Sequence, residues 1–156
     1  MKKQGFTLIE LMVVIVIMGI LAAVAVPKLF GMIAKSKASE VGPAAGTYVK
    51  LADVYFVENN ELGTWAKIGY NAPNGSSGSS SQSTNFVYGA STYNSNTDNQ
   101  NTWGAYNRVA LNDCATASAD VWTVKPKVTA GSVAWTAGVS TTTCKDLTPN
   151  FDKIGK

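Results

Sequence analysis

Histidine is absent from the 156 residues, and charge is scarce: Asp, Glu, Lys and Arg make up only 15%, against roughly 25% in an ordinary soluble domain. Without histidine the chain holds no Ser-His-Asp triad, no Cys-His pair and no His-ligated zinc site. Two cysteines are too few for a four-Cys zinc site and enough for one disulfide. The formal charge of +3 is too small to argue for nucleic acid. No aromatic stripe with interleaved basic residues makes up for it, so no specific nucleic-acid site is expected. No nucleophile–base pair, metal cluster or phosphate-binding loop stands out, which argues against an enzyme and implies no cofactor.

What is present is a long apolar run. From Phe6 to Val26 only Thr7 and Glu10 are clearly polar. About 20 helical residues cross about 30 Å of hydrocarbon, so the run is long enough to span a membrane. Lys2 and Lys3 precede it and favour a cytoplasmic N-terminus, while Lys28, Lys35 and Lys37 follow it. Three readings compete on these residues. A secretory signal peptide would use the A-x-A-like site Ala23-Val24-Ala25, but the run is longer than the usual h-region and Glu10 lies within its start. A plain anchor explains the length and leaves Glu10 unexplained, since a carboxylate in lipid is costly without a partner. The third reading gives Glu10 a task.

The ordered residues Lys2-Lys3-Gln4-Gly5-Phe6-Thr7-Leu8-Ile9-Glu10-Leu11 resemble the processing site of type IV pilins and of their secretion-system relatives, the pseudopilins. The likeness continues through Gly19 and Pro27 and loosely to Leu51, about a third of the chain. It implies a pilin fold and a structural, self-assembling subunit. Its partners would be further copies of itself in a helical homopolymer, a prepilin peptidase, and an assembly machinery whose ATPase is a separate chain. That peptidase would cut between Gly5 and Phe6 and methylate the new amine of Phe6. Glu10 would then pair with the amine of Phe6, in its own or a neighbouring subunit. With Phe6 and Thr7 it would set axial register, since an unpaired buried carboxylate is expensive. Gly19 and Pro27 mark a weak stretch of helix. The resemblance implies loss of helical order there in the filament, against an ordinary proline kink in a continuous helix.

The resulting domain plan has four parts: a cleaved leader over 1–5, a transmembrane and later filament-core helix over 6–27, an amphipathic helix over 28–58, and a β-rich head over 59–156. Val41, Ala45, Tyr48, Val49, Ala52, Tyr55 and Phe56 recur at helical spacing and predict a core face. Lys35, Lys37, Glu40, Lys50, Asp53 and Glu58 read as solvated positions, and Gly42-Pro43 predicts a bend or break near 42. Beyond Leu62 the pattern predicts strands over 64–69, 85–90, 105–111, 120–128 and 131–136. Their core candidates are Trp65, Ile68, Phe86, Tyr88, Val109, Leu111, Val121, Trp122, Val124, Val133 and Trp135. The fold class is therefore α+β, a long N-terminal helical spine packed on a small antiparallel sheet.

Residues 71–83 and 92–102 read as solvated polar loops. The serines are candidates for O-glycosylation, and Asn74-Gly75-Ser76 is a weak sequon. Asn94, Asn96 and Asp98 alternate like the start of a calcium loop, but the required glycine is missing and Ala105 stands where the bidentate Glu belongs. No metal is expected there. The resemblance implies export, in which case Cys114 and Cys144 would form a disulfide bounding the C-terminal region. The expected function is a subunit of a type IV pilus serving adhesion, motility, DNA uptake or biofilm formation. It would sit in the inner membrane with its head in the periplasm, and after assembly on the cell surface. The alternative is a type II secretion pseudopilin. Comparable major pseudopilins have a smaller C-terminal part, no such disulfide and a calcium loop.

Overall fold

The computed structural model describes residues 5–75, 80–89 and 102–156. Lys2, Lys3, residues 76–79 of the Ser-rich loop (with Ser76 of the sequon) and the Asn94-Asn96-Asp98 alternation lie outside the described residues. The chain divides into two units that meet at Ile33 and Ala34.

The first unit is helix. α1 runs Leu8–Ala38, and its residues up to Ile33 belong to this unit. Every side chain from residue 5 to residue 30 is exposed. Phe6 is 83% exposed and Val24 is 72% exposed. An all-round apolar helix has no preferred face for a single core, so the sequence forms the helix without specifying a partner within the chain. Pro27 sits inside α1 and the helix continues through it.

The second unit is α+β. α2 spans Val41–Asn59, after a turn at Ser39 and Glu40. Pro43 has no N–H to give the carbonyl four residues earlier, at Ser39, so the break falls just ahead of Gly42-Pro43. Val41, Ala45, Tyr48, Val49, Ala52 and Phe56 are buried, as the helical spacing predicts, and Tyr55 is half-buried. Asn60 ends α2 in a left-handed conformation, its N–H donating to Phe56 O at 2.7 Å.

The sheet is a five-stranded antiparallel meander in the order β1 Ser80–Gln82, β2 Phe86–Gly89, β3 Trp103–Asn107, β4 Trp122–Thr129 and β5 Ser132–Val139. The β4–β5 hairpin closes through Ala130 and Gly131, with Gly131 at φ +79°, where a side chain would be strained. Phe86, Tyr88, Trp103, Ala105, Trp122, Val124, Trp135 and Ala137 fill the core with α2. Tyr48 meets Tyr70 and Trp135 edge-on, at centroid distances of 5.5 and 5.7 Å.

Two expectations are corrected here. Residues 65–69 form a turn instead of a strand: Ile68 N–H donates to Thr64 O at 3.0 Å and Tyr70 N–H to Trp65 O at 2.9 Å. Trp65 and Ile68 are three apart, a helical spacing that a turn buries as well as a strand would. Val109 lies past the end of β3 and is 36% exposed, so it is not a core residue.

Candidate assembly site at the N-terminus

Thr7 stands immediately before α1, and its carbonyl accepts the first helical bond from Leu11 N–H at 3.3 Å. Its Oγ1 accepts the N–H of Glu10 at 3.3 Å. Glu10 reaches back, its Oε2 accepting the Thr7 N–H at 2.8 Å and the Thr7 hydroxyl at 2.6 Å. Residues 7 to 10 are therefore a capping box, in which side chain and backbone satisfy each other reciprocally. The Thr-x-x-Glu spacing is a known sequence signal for it, one that assigning Glu10 to Phe6 alone overlooks. Among the described residues, Glu10 Oε1 has no hydrogen-bond partner.

The box places Gly5 and Phe6 ahead of the helix, both exposed. A Cβ built at Gly5 or at Gly19 meets nothing within 4 Å. The chain itself thus sets no steric demand for glycine at either place, and any such demand comes from outside it.

Cys114 and Cys144 are disulfide-bonded, and no free cysteine remains among the described residues. The bond encloses the β4–β5 hairpin and ties it to the turn around Leu111–Cys114. That turn has an internal strut. Asn107 is fully buried, and its Nδ2 donates to the carbonyls of Val109 at 2.9 Å, Ala115 at 2.8 Å and Cys114 at 3.4 Å. Nothing in the strand pattern pointed to Asn107.

Two positions read as solvated have partners in the sheet. Glu40 Oε1 accepts from Tyr88 Oη at 2.9 Å and from Ser83 Oγ. Asp53 Oδ1 accepts from Trp135 Nε1. Burial pushes the Tyr88 hydroxyl up, and the Glu40 carboxylate beside it pushes the same way. Among the described residues no group of three or more His, Cys, Asp or Glu side chains is placed to hold a metal ion.

Comparison with known proteins puts the weight on the N-terminus. Residues 1–26 match the prokaryotic N-terminal methylation motif. A type IV major fimbrial protein FimA of Dichelobacter nodosus is 36% identical over 86 residues, covering 53% of this chain and 54% of that protein. A second FimA from the same organism is 41% identical over 61 residues, 39% of each chain. The fimbrial protein EcpC of Eikenella corrodens is 43% identical over 63 residues, 40% of this chain and 39% of its own. The chain thus matches these curated relatives over about two fifths to half of their length. No solved structure matches it. Its N-terminal methylation motif and its likeness to these fimbrial proteins make the chain similar to type IV pilins over part of its length.

Proposed function

We propose that the chain is made as a membrane-anchored precursor and becomes the structural subunit of a type IV pilus. One observation carries this reading. The residues Gly5-Phe6-Thr7-Leu8-Ile9-Glu10 open a helix long and apolar enough to cross a membrane, and none of its side chains up to residue 30 is buried in the chain. A prepilin peptidase cuts between Gly5 and Phe6 in the inner membrane, with the head on the periplasmic side, and Phe6 is methylated. The head contributes no chemistry, since a pilin is a structural subunit and not an enzyme.

Assembly then uses the unoccupied half of Glu10. Oε2 stays with Thr7 and holds the start of the helix. Oε1 takes the charged amine of Phe6, from its own chain or from a neighbour, and fixes axial register. Helices bundle in the filament core and heads face outward, driven by an ATPase on a separate chain. Gly19 and Pro27 are the stretch that gives way when the helices bundle. The relatives are fimbrial proteins, which favours the pilus over the secretion-system reading.

Shearing surface filaments and weighing the intact subunit tests this. The expected species begins at N-methyl-Phe6 with Cys114 and Cys144 oxidised. A species beginning at Val26 would instead establish signal-peptide cleavage and overturn the proposal. Glu10→Gln separates the two jobs of Glu10, because glutamine still completes a capping box but carries no charge. Incorporation into filaments is expected to fall at least about tenfold, the scale of losing a buried ion pair. Normal assembly of that variant would end the register role.

A further inference from the structure

α1 is longer than a bilayer requires. At 1.5 Å per residue about 20 residues cross the hydrocarbon. Counted from Leu8, that length is used up near Pro27. The apolar surface continues past this point: Leu29, Phe30, Met32 and Ile33 are 42–60% exposed. Lys28 opens this stretch, and Lys35 and Lys37 follow it on the same helix. Between Glu10 and Glu40 the sequence has no Asp or Glu. Ala25, Val26, Leu29 and Met32 line an open groove of about 270 Å³ whose one charged lining residue is Lys28.

A short apolar stretch flanked by lysines and free of acids fits the boundary between acyl chains and headgroups. The apolar side chains stay among the upper acyl carbons. The lysines extend their stems along them and put the ammonium groups among the phosphates. The charge selects the lipid. Three cations with no acid among them favour anionic over zwitterionic headgroups.

We infer that Lys28, Lys35 and Lys37 make the C-terminal third of α1 a binding surface for anionic phospholipid headgroups while the precursor is in the membrane. Leu29–Ile33 is then seated at the headgroup boundary. The contacts set the depth of the anchor and gather anionic lipid around it. Extraction into a filament has to break them. This inference rests on the membrane-spanning reading of α1.

The test reconstitutes the full-length chain in vesicles of phosphatidylcholine with about 30% phosphatidylglycerol, an ordinary anionic content. Flotation with the vesicles reports insertion. Extraction of the protein with its surrounding lipid then gives the annular composition by mass spectrometry. Phosphatidylglycerol is expected at about twice its bulk share around the wild-type chain. It should return to the bulk share in the Lys28→Gln/Lys35→Gln/Lys37→Gln variant and stay enriched in the matching triple arginine variant. A bulk share around the wild type overturns the inference, and so does enrichment that survives the glutamines. Extracted particles with two chains and no lipid enrichment would assign the surface to a second copy and overturn it too. A chain that fails to float removes the membrane-spanning reading itself, and this inference with it.

Discussion

The two units handle apolar surface in opposite ways. In the first, nineteen large apolar side chains from Phe6 to Ile33 are exposed, and among the described residues the side-chain hydrogen bonds are the local ones between Thr7 and Glu10. In the second, the bonds that matter span the chain. Trp103 Nε1 donates to Tyr70 Oη at 2.9 Å, Trp65 Nε1 to Thr102 O at 3.2 Å, and Trp122 Nε1 to Thr148 Oγ1 at 2.8 Å. Among the described residues of the head, Asn107 Oδ1 is the buried side-chain polar atom left without a hydrogen-bond partner. The first unit leaves roughly 30 kcal/mol or more of apolar burial unrealised, at about 1.5–3 kcal/mol per side chain. Lipid or other copies of the helix would supply that burial, which is why the proposed membrane residence and assembly rest on the unit that buries least within the chain.

Cutting the chain between the units should give the largest effect. A chain beginning at Ala34 is expected to stay soluble without detergent and to unfold cooperatively, while the full chain requires detergent or lipid. A shortened chain that aggregates, or that shows no cooperative transition by circular dichroism, would break the contrast. Next in size is the disulfide. Replacing Cys114 and Cys144 by Ala should lower the stability of the head by about 3–4 kcal/mol in urea unfolding, the chain-entropy cost for a loop of this length. Insertion of α1 into vesicles should be unchanged. A loss of insertion would show that the units are not energetically separate.

The same contrast sorts what was legible in the sequence. α1 was, because an all-round apolar run needs no tertiary information. The buried face of α2 was, because Val41, Ala45, Tyr48 and Val49 repeat with the helix. β4 and β5 were found within a few residues by their Val and Trp alternation. β1 was not, since Ser80-Ser81-Gln82 has no strand propensity and owes its conformation to pairing with Val87–Gly89. β3 begins at Trp103, earlier than the pattern suggests, because Gly104 carries no side chain to mark it. Glu40 finds Ser83 and Tyr88 more than forty residues on, and Asp53 finds Trp135 farther still. Local patterns hold no record of such partners. The cap at Thr7 and Glu10 was the opposite case, written in four consecutive residues and eclipsed by the assembly role expected of Glu10.

Alkaline pH should act on the head through its buried phenols. Tyr70 Oη donates to Ala44 O at 3.1 Å. Burial pushes this hydroxyl up to about 12, and the bond from Trp103 only partly offsets it. The native state thus holds this proton more tightly than the unfolded chain, whose tyrosines titrate near 10. The associated stability is complete below about pH 10 and is lost as pH rises toward about 12, about 3 kcal/mol for a shift of this size. Tyr88 acts in the same direction. Urea unfolding across this window should show the decline, and Tyr70→Phe should flatten it. No tyrosine occurs before Tyr48, so the first unit lacks this response. An unchanged slope in Tyr70→Phe would place the alkaline response elsewhere.

The smallest effect belongs to the ion pair of Lys67 Nζ with Glu61 Oε1 at 3.1 Å. Lys67 holds the Glu61 carboxyl below the usual range, with help from the Tyr55 hydroxyl, and Glu61 raises Lys67 in return. The shifts are mutual, yet both side chains are largely exposed, and water competes for each of them. A titration shift at such a site reports a local field without reporting stability. Lys67→Ala should therefore raise the carboxyl titration of Glu61 toward its ordinary value, read by NMR, while the melting temperature of the head stays within error. Salt should erase the titration shift in the wild type in the same way. A clear fall in melting temperature would mean that this surface pair holds the turn after α2 in place. The head would then depend on an exposed contact, as the first unit depends on exposed surface, and the division between the units would be less sharp than their burial implies.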